Sequence, residues 1–180
     1  MVATPIRLSD IPAEGLSLEY RHEQALLEPL GEGVRLLEPV DVSLKIIPQD
    51  SRYFIEGEVR GRVQVECDRC LSPVTLAVSA PCAVDVAPLP AGSGSGERFE
   101  LERGDLDVTF VSGGLLNLDD LVREQLLLHV PMRVLCREGC RGLCPRCRKN
   151  LNEGPCGCPD TEHVDPRLEA LKDVRRRLGG

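Results

Sequence analysis

The sequence predicts an α+β protein, with a curved antiparallel β-sheet or partly open barrel, a packed helix, and a compact cysteine-rich knuckle near the C-terminus. Three observations lead to this prediction. Hydrophobic residues alternate with period two over a long central stretch, one later segment has helical periodicity, and six of the nine cysteines lie between residues 136 and 158. A chain of 180 residues is long enough to bury a hydrophobic core.

The alternation indicates a long antiparallel hairpin. Hydrophobic residues take alternate positions in 40–46, the odd positions of 53–65 and the even positions of 74–86, on either side of a short connection. Gly57 and Gly61 interrupt the second run, and we expect bulges or sharp curvature there. Further strands are predicted near 16–20, where Leu16, Leu18 and Tyr20 alternate, and near 106–110, where Leu106, Val108 and Phe110 alternate.

A helix is predicted at about 118–130. Asn117 precedes it as a cap, acidic residues occupy its first turn, and Pro131 ends it. A second short helix is predicted at about 167–178, after Asp165-Pro166. Residues 88–98 are rich in proline, glycine and serine and are predicted to form a flexible loop.

Charge is distributed unevenly along the chain. Residues 1–132 carry 11 Lys and Arg against 22 Asp and Glu, a net charge of −11, whereas residues 133–180 carry 11 against 7, a net charge of +4. This asymmetry predicts two regions: an acidic β-rich domain over 1–132 and a basic cysteine-rich region with a C-terminal helix over 133–180.

The strongest motif is Cys144-x2-Cys147 followed by Cys156-x-Cys158. Two close cysteine pairs around one turn can complete a tetrahedral Zn²⁺ site, so these four residues are the predicted ligands of a zinc knuckle. A set that replaces one cysteine of the second pair with Cys136 or Cys140 is the main alternative. A labile thiol cluster, or a disulfide between Cys144 and Cys147, would account for the motif without metal.

A second zinc site is a weaker prediction. Cys67 and Cys70 lie at the turn of the predicted hairpin, and Cys136 and Cys140 could supply its other half. A reduced or redox-active vicinal pair at Cys67 and Cys70 is the alternative. Cys82 lies on the apolar face of its strand and is expected to be a buried core thiol.

Basic residues surround the C-terminal cysteines. On a zinc-folded knuckle these side chains would project outward, as contact with a phosphate backbone requires. The candidates for contact with RNA or a partner are Arg133, Arg137, Arg141, Arg146, Arg148 and Lys149. A solvated basic face, or one that docks on the acidic domain, is the alternative. No aromatic residue occurs in 133–180, so base stacking is not expected there.

An enzyme is not expected. The sequence has no GxSxG, phosphate-binding loop or dinucleotide motif, its three histidines are scattered, and all-cysteine zinc sites are usually closed and structural. We therefore expect no small-molecule substrate. No long apolar run or signal peptide is evident, which predicts a cytoplasmic protein without membrane association.

Three stretches together resemble one family. They are CDRCLSPV (67–74), LDDLVREQLLLHVPM (118–132) and CREGCRGLCPRCRKNLNEGPCGC (136–158), and they are similar to the bacterial YceD-like family of large ribosomal RNA subunit accumulation proteins. The first 50 residues and the 88–98 loop match least. In related members a glycine usually follows the position of Cys147, where this chain has Arg148, and arginine would carry a steric cost in a left-handed turn.

The resemblance implies a non-enzymatic cytoplasmic factor that supports large-subunit ribosomal RNA accumulation and ribosome biogenesis. It assigns Cys67 and Cys70 to a hairpin motif and the six C-terminal cysteines to a cysteine-rich branch of the family. The expected partners are large-subunit ribosomal RNA, a ribosomal protein, or both. The alternative functions are a zinc-thiol redox switch and a protein–protein adaptor without RNA contact.

Overall fold

The computed structural model describes residues 5–23, 27, 30–89, 103–158, 171 and 174. The chain divides into two compact units, Met1–Cys140 and Arg141–Gly180. The boundary between the units thus falls after Cys140 in the sequence, whereas the net charge changes sign after Met132.

The described part of the first unit contains eight strands and the helix that follows them, and Leu27 is also helical. The strands are β1 (Ile6–Arg7), β2 (Leu16–His22), β3 (Arg35–Leu36), β4 (Val40–Gln49), β5 (Arg52–Glu66), β6 (Pro73–Pro88), β7 (Val108–Val111) and β8 (Leu115–Leu116). The helix α1 spans Leu118–Leu128. Short 3-10 turns occupy Leu8–Asp10, Arg103–Asp105 and Ser112–Gly114, and a fourth, Leu151–Glu153, lies in the second unit.

The hairpin formed by β5 and β6 is the centre of the main sheet, which confirms the predicted long hairpin. Its pairing runs from Tyr53 opposite Val86 to Glu66 opposite Pro73 without a change of register. The period-two pattern explains this register, because a slip of one residue would turn every buried side chain toward solvent.

The sheet is mixed and open, which corrects the prediction of an antiparallel sheet or partly open barrel. Its order is β2-β4-β5-β6-β7, with β3 paired to β5. Strand β7 joins β6 in parallel, with Asp85 opposite Val108. The connection between β6 and β7 is long enough for a crossover, which a parallel pair requires. Among the described residues no pairing of β2 with β7 closes the sheet. Strands β1 and β8 form a separate antiparallel pair.

The ladder of β5 with β6 passes Gly57 and Gly61 in register, so the expectation of bulges there is wrong, whereas the alternative of sharp curvature stays a prediction. The ladder of β5 with β4 also passes Gly57 in register, and it ends at Arg60, next to Gly61. Gly57 instead has φ of +148°, and a Cβ there would overlap the carbonyl oxygen of Ser43 on β4. At Gly61 a Cβ would make ordinary contacts with Val40 at 3.4 Å and Leu126 at 3.6 Å. Glycine is therefore required at 57 by the close approach of β4, and not at 61.

Helix α1 covers the buried face of the sheet. Leu118, Val122 and Leu126 recur at helical spacing and are fully buried. Along β4, β5 and β6 the inward positions also carry buried aliphatic residues, among them Val42, Ile55, Val59, Val63 and Val78. Full burial of one such side chain contributes about 1.5–3 kcal/mol, so this helix–sheet interface is the main source of stability in the first unit.

Both ends of helix α1 carry side-chain hydrogen bonds, and the N-terminal cap is the one predicted from the sequence. The Asn117 side chain accepts a hydrogen bond from the backbone N–H of Asp119 at 3.0 Å. At the other end, Nδ1 of His129 lies 2.9 Å from the carbonyl oxygen of Gln125. The helix thus ends at Leu128, close to the predicted limit.

A buried polar contact connects strand β2 to the start of the helix. Nε2 of His22 lies 2.8 Å from the Asp119 carboxylate, and the His22 ring packs against Tyr20 at a centroid distance of 5.7 Å. Burial, together with the negative charge of Asp119, raises the pKa of Tyr20 to about 12. We assign these residues to the packing of the first unit.

Two predicted segments lie largely outside the described residues. The loop at 88–98 has only Pro88 and Leu89 in the described ranges. Within the predicted helix at 167–178, the described residues Leu171 and Val174 are helical.

Replacing Gly57 with alanine should strongly destabilise the first unit. The new Cβ would have to displace the β4 backbone and adopt a strained φ, for which we expect a loss of about 3 kcal/mol or more. Urea unfolding followed by circular dichroism measures this. Gly61→Ala is the matched control on the same strand and should stay within about 1 kcal/mol of wild type. Equal losses for the two variants would contradict the proposed close approach.

Candidate metal centres

Four cysteines converge at the tip of the β5–β6 hairpin. Cys67 and Cys70 belong to the turn, and Cys136 and Cys140 belong to the chain that follows α1. The four Sγ atoms lie within 4.8 Å of one another, with Cys67 and Cys140 3.8 Å apart and Cys70 and Cys136 3.5 Å apart. We call this set tetrad A. Three of its cysteines are buried and Cys136 is exposed.

A second set of four cysteines lies within the second unit. Its Sγ atoms also lie within 4.8 Å of one another, and those of Cys144 and Cys156 are 3.3 Å apart. We call this set, Cys144, Cys147, Cys156 and Cys158, tetrad B. Cys144 is buried, Cys147 is exposed, and the other two are half-buried. The structure therefore brings together the four cysteines of each predicted site. Tetrad B is the site predicted more strongly from the sequence, and tetrad A is the weaker prediction.

The two Cys-x2-Cys turns have the same backbone hydrogen bonds. In tetrad A, the N–H of Cys67 donates to Ser72 O and the N–H of Leu71 donates to Cys67 O, both at 2.9 Å. In tetrad B, the N–H of Cys144 donates to Lys149 O and the N–H of Arg148 donates to Cys144 O, again at 2.9 Å. One turn geometry thus presents both cysteine pairs.

The residue after each second cysteine is left-handed. Leu71 has φ of +59° and Arg148 has φ of +58°. Both residues carry a Cβ, so each turn adopts a conformation that costs roughly 1–2 kcal/mol relative to a right-handed residue. The structure confirms the left-handed turn at Arg148 that the sequence comparison with the family suggested.

Tetrad A is reinforced by hydrogen bonds between the hairpin tip and the chain after the helix. The Asp68 backbone N–H donates to Val134 O at 2.9 Å, and the Val134 N–H donates to the Asp68 carboxylate at 2.5 Å. The Arg69 guanidinium donates to the carbonyl oxygen of Cys140 at 2.8 Å. The hairpin and the helix exit are therefore held together by polar contacts as well as by the thiols.

Tetrad B is held by a small set of local bonds. Leu143 and Asn150 form an isolated β-bridge, and the Leu151 N–H donates to Gly142 O at 2.9 Å. The Asn150 side chain caps the short Leu151–Glu153 turn by accepting from the N–H of Asn152 at 3.0 Å. These bonds bring Cys156 and Cys158 back toward the Cys144 turn.

Each tetrad contains one thiol that ionises easily and one that resists ionisation. At Cys67, burial opposes ionisation, but hydrogen bonds from the backbone N–H groups of Arg69, Cys136 and Cys70 outweigh it and lower the pKa to about 6. At Cys136, a hydrogen bond with the thiol of Cys70, followed by burial, raises the pKa to about 12.

The same contrast holds in tetrad B. Hydrogen bonds from the backbone N–H groups of Cys147 and Arg146 are the main cause that lowers the pKa of Cys144 to about 6. A hydrogen bond with the Cys147 thiol, followed by burial, raises the pKa of Cys158 to about 12. Four converging thiols cannot all ionise in the absence of positive charge, whereas a divalent cation would stabilise all four thiolates. The donor sets therefore fit a metal ion.

Cys82 belongs to neither tetrad. It is buried in the core of the first unit, and burial is the main cause that raises the pKa of its thiol to about 11. The prediction of a core thiol is confirmed.

The six predicted basic contact residues are all exposed, and they divide between the two units. Arg133 and Arg137 lie in the first unit near the ligands of tetrad A, whereas the others lie in the second unit. Those in the second unit are Arg141, Arg146, Arg148 and Lys149. The Lys149 ammonium group donates to the carbonyl oxygen of Pro155 at 3.2 Å.

Sequence reasoning did not identify the roles of Asp68 and Arg69. Both lie between ligands of tetrad A, and both bind the chain after the helix rather than project freely. The sequence does contain a signal that the two turns are alike. Both Cys-x2-Cys motifs, Cys67-Asp-Arg-Cys70 and Cys144-Pro-Arg-Cys147, have arginine directly before the second cysteine. The spacing identifies a shared turn, but not the partner of each arginine.

These features define a class: an α+β protein with two four-cysteine centres that could hold metal ions. The chain matches the model of the family described as large ribosomal RNA subunit accumulation protein YceD over residues 55–175, a range that contains both tetrads. It therefore belongs to the YceD family, and the resemblance noted in the sequence is confirmed.

Several relatives are similar to this chain. An uncharacterized protein of Mycobacterium bovis is 28% identical over 136 residues, covering 75% of this chain and 61% of the relative. The uncharacterized protein YlbN of Bacillus subtilis is 24% identical, covering 97% and 96%. The chloroplastic large ribosomal RNA subunit accumulation protein YCED homolog 1 of Arabidopsis thaliana is 22% identical, covering 78% and 50%.

The match thus spans about three fifths of the length of the mycobacterial relative. No solved structure matches the chain. Among the described residues, no helix is both long enough and apolar enough to cross a membrane.

Arg148→Gly should increase the metal affinity of tetrad B. Glycine adopts the left-handed conformation without a Cβ penalty, although it also increases the entropy of the unfolded knuckle. We expect a net gain of about 1 kcal/mol, or roughly fivefold in affinity, measured by competition with a chromophoric chelator.

Arg146→Gly is the matched control for this variant. It removes the same charge from the same turn at a position that does not have a positive φ, so it should leave the metal affinity unchanged or weaken it. An equal gain in both variants would mean that loss of positive charge, and not backbone relief, controls the affinity.

Proposed function

We propose that this protein is a non-catalytic factor that supports accumulation of large-subunit ribosomal RNA during ribosome biogenesis, and that it contacts RNA through a zinc-stabilised basic knuckle. The observation that carries the proposal is tetrad B, whose ligands alternate with exposed basic side chains. The names of the matching family and of the Arabidopsis relative support the role in RNA accumulation.

Zinc is the ion that fits both tetrads best. In a tetrahedral site with Zn–S bonds of about 2.3 Å, neighbouring sulfurs lie roughly 3.8 Å apart. The contacts of 3.8 and 3.5 Å in tetrad A and 3.3 Å in tetrad B are close to that spacing and far longer than the roughly 2.05 Å of a disulfide. Thiolate donors also favour zinc over magnesium or calcium.

The knuckle has the charge needed for phosphate contact. Residues 141–149 contain four basic residues and no acidic one, and all four basic side chains are exposed. A zinc ion with four thiolates carries a net charge of −2, so the attraction for phosphate must come from individual arginines near the RNA. Arginine suits this contact because its planar guanidinium binds phosphate through two parallel hydrogen bonds.

The charge distribution restricts where RNA could contact this molecule. The net charge of −11 over residues 1–132 would repel RNA elsewhere on the molecule, which restricts contact to the basic segment. A basic ribosomal protein could bind the acidic region at the same time. This second contact is proposed from charge alone.

The ligand chemistry of the two tetrads supports a non-catalytic role. A catalytic zinc keeps one coordination position open for water or substrate, whereas four cysteine ligands fill a tetrahedral site. Both tetrads have four cysteines, and we assign both a structural role.

Metal analysis of the purified protein should find two zinc ions per chain. Cys67→Ser and Cys144→Ser should each reduce the zinc content to one, because the two cysteines belong to different tetrads. Cys82→Ser is the control and should retain two zinc ions, since Cys82 is a core residue. Iron in place of zinc, or one metal shared between the tetrads, would contradict the assignment.

Charge reversal should test the RNA contact. A triple variant should weaken binding to a large-subunit ribosomal RNA fragment by at least roughly tenfold in mobility-shift assays. It combines Arg141→Glu, Arg146→Glu and Arg148→Glu. Wild-type binding should also weaken between about 50 and 200 mM salt, because bound counterions are released from the RNA.

A matched control reverses the same number of charges on the sheet. Arg21, Arg60 and Arg62 are exposed and form surface ion pairs with Asp41, Glu58 and Glu38. Changing these three arginines to glutamate should affect RNA binding little. If the two triple variants lose affinity equally, net charge rather than the knuckle governs binding; if the wild type binds no RNA, the adaptor function is favoured.

A further inference from the structure

We propose that the two tetrads have different structural roles. Tetrad A reinforces a unit that folds around its own hydrophobic core, whereas the basic knuckle around tetrad B is ordered only when tetrad B holds a metal ion. The knuckle would then be a metal-dependent switch that displays Arg141, Arg146 and Arg148 only when tetrad B is loaded. This inference deepens the proposed function and rests on it for its biological meaning, but its structural part is tested independently.

Tetrad A lies at the end of a large apolar core. The β5–β6 ladder reaches Glu66 opposite Pro73, next to the first ligand, and Val65 and Val134 are buried beside it. Cys67, Cys70 and Cys140 are themselves at most 5% exposed. Apolar burial and the sheet hydrogen bonds remain when the metal leaves, so the hairpin should stay formed.

Tetrad B has no comparable support within residues 141–158. There, Cys144 is the single buried residue with a side chain beyond Cα, and Leu143 and Leu151 are only half-buried. The remaining order comes from one isolated bridge, one short turn and a few partly exposed hydrogen bonds. Such bonds do not offset the conformational entropy of ordering this segment, so binding of metal and folding of the knuckle should be one event.

Exposure should make tetrad B the first to lose its metal. Cys147 is exposed and Cys156 and Cys158 are half-buried, whereas three of the four cysteines in tetrad A are buried. A chelator can reach three ligands of tetrad B without prior unfolding, whereas in tetrad A it can reach only Cys136. Two separate phases of metal release are therefore expected, with tetrad B first.

The two identical turns provide a matched pair of protease sites. Trypsin cleaves after arginine, and Arg69 and Arg146 occupy the same position in the two Cys-x2-Cys turns. Both arginines are exposed, and both precede a cysteine. Cleavage after Arg146 therefore reports on the knuckle, and cleavage after Arg69 reports on the hairpin, within one digestion.

The exposed ligands provide a matched pair of variants. Cys136→Ser removes a ligand from tetrad A and Cys147→Ser removes one from tetrad B, and neither change opens a buried cavity. The experiment loads the full chain with zinc, measures bound zinc, and follows digestion by mass spectrometry with and without an added chelator.

We expect Cys147→Ser to keep one zinc ion per chain. Trypsin should cleave this variant after Arg146 at least tenfold faster than it cleaves the wild type, and the rate of cleavage after Arg69 should change less than twofold. Cys136→Ser should leave the rate after Arg146 unchanged. In the wild type, the first phase of zinc release should coincide with the increase in cleavage after Arg146.

The proposal is overturned if the knuckle resists trypsin in Cys147→Ser or after zinc release, or if loss of either metal exposes both turns equally. RNA binding is measured separately on the same samples. If Cys147→Ser has an open knuckle yet binds RNA like wild type, the switch stands and the RNA role of the knuckle fails. If the knuckle stays closed and RNA binding is lost, the RNA role survives and the switch is wrong.

Discussion

The apolar core between helix α1 and the sheet is the interaction on which the first unit depends, and it places two cysteine pairs together at the tip of the β5–β6 hairpin. Cys67 and Cys70 are carried there by a sheet whose register is set by alternating aliphatic residues, and Cys136 and Cys140 follow the helix that covers this sheet. The Asp68–Val134 hydrogen bonds fix the chain between the helix and these ligands. The apolar core and tetrad A therefore restrain the same two elements, the hairpin and the helix, from opposite ends.

The second unit lacks such cooperation among its described residues. Its ligands surround a short turn with almost no buried apolar surface, which is the situation in which small modules rely on metal ions or disulfides. In tetrad B the pKa of Cys144 is lowered and that of Cys158 is raised, so without a cation the thiols do not all ionise together. A metal ion bound at tetrad B would stabilise the thiolates and close the loop together, so a knuckle rich in arginine could be ordered without a hydrophobic core.

Local patterns predicted the parts of this structure that local chemistry determines. The hairpin follows from period-two alternation, the limits of the helix from Asn117 and Pro131, and the core thiol from the face that Cys82 occupies. The parallel pairing of β7 and the true role of Gly57 depend on distant strands, which leave no periodic signal in the sequence. The spacing of six C-terminal cysteines likewise permits several sets, and the position of the helix exit beside the hairpin selects one grouping.

The two cysteine turns show how one backbone geometry can serve two purposes. Each turn contains one left-handed residue with the associated conformational strain. This residue is Leu71 in the turn attached to the sheet and Arg148 in the turn of tetrad B. The arginine between the cysteines is exposed in both turns, and in tetrad A the Arg69 guanidinium also donates to the carbonyl oxygen of Cys140. A turn that uses its arginine to hold the chain together has a structural task. The proposed binding function would account for the charge of the tetrad B turn, whose basic side chains are exposed and whose unit has little buried apolar surface among its described residues.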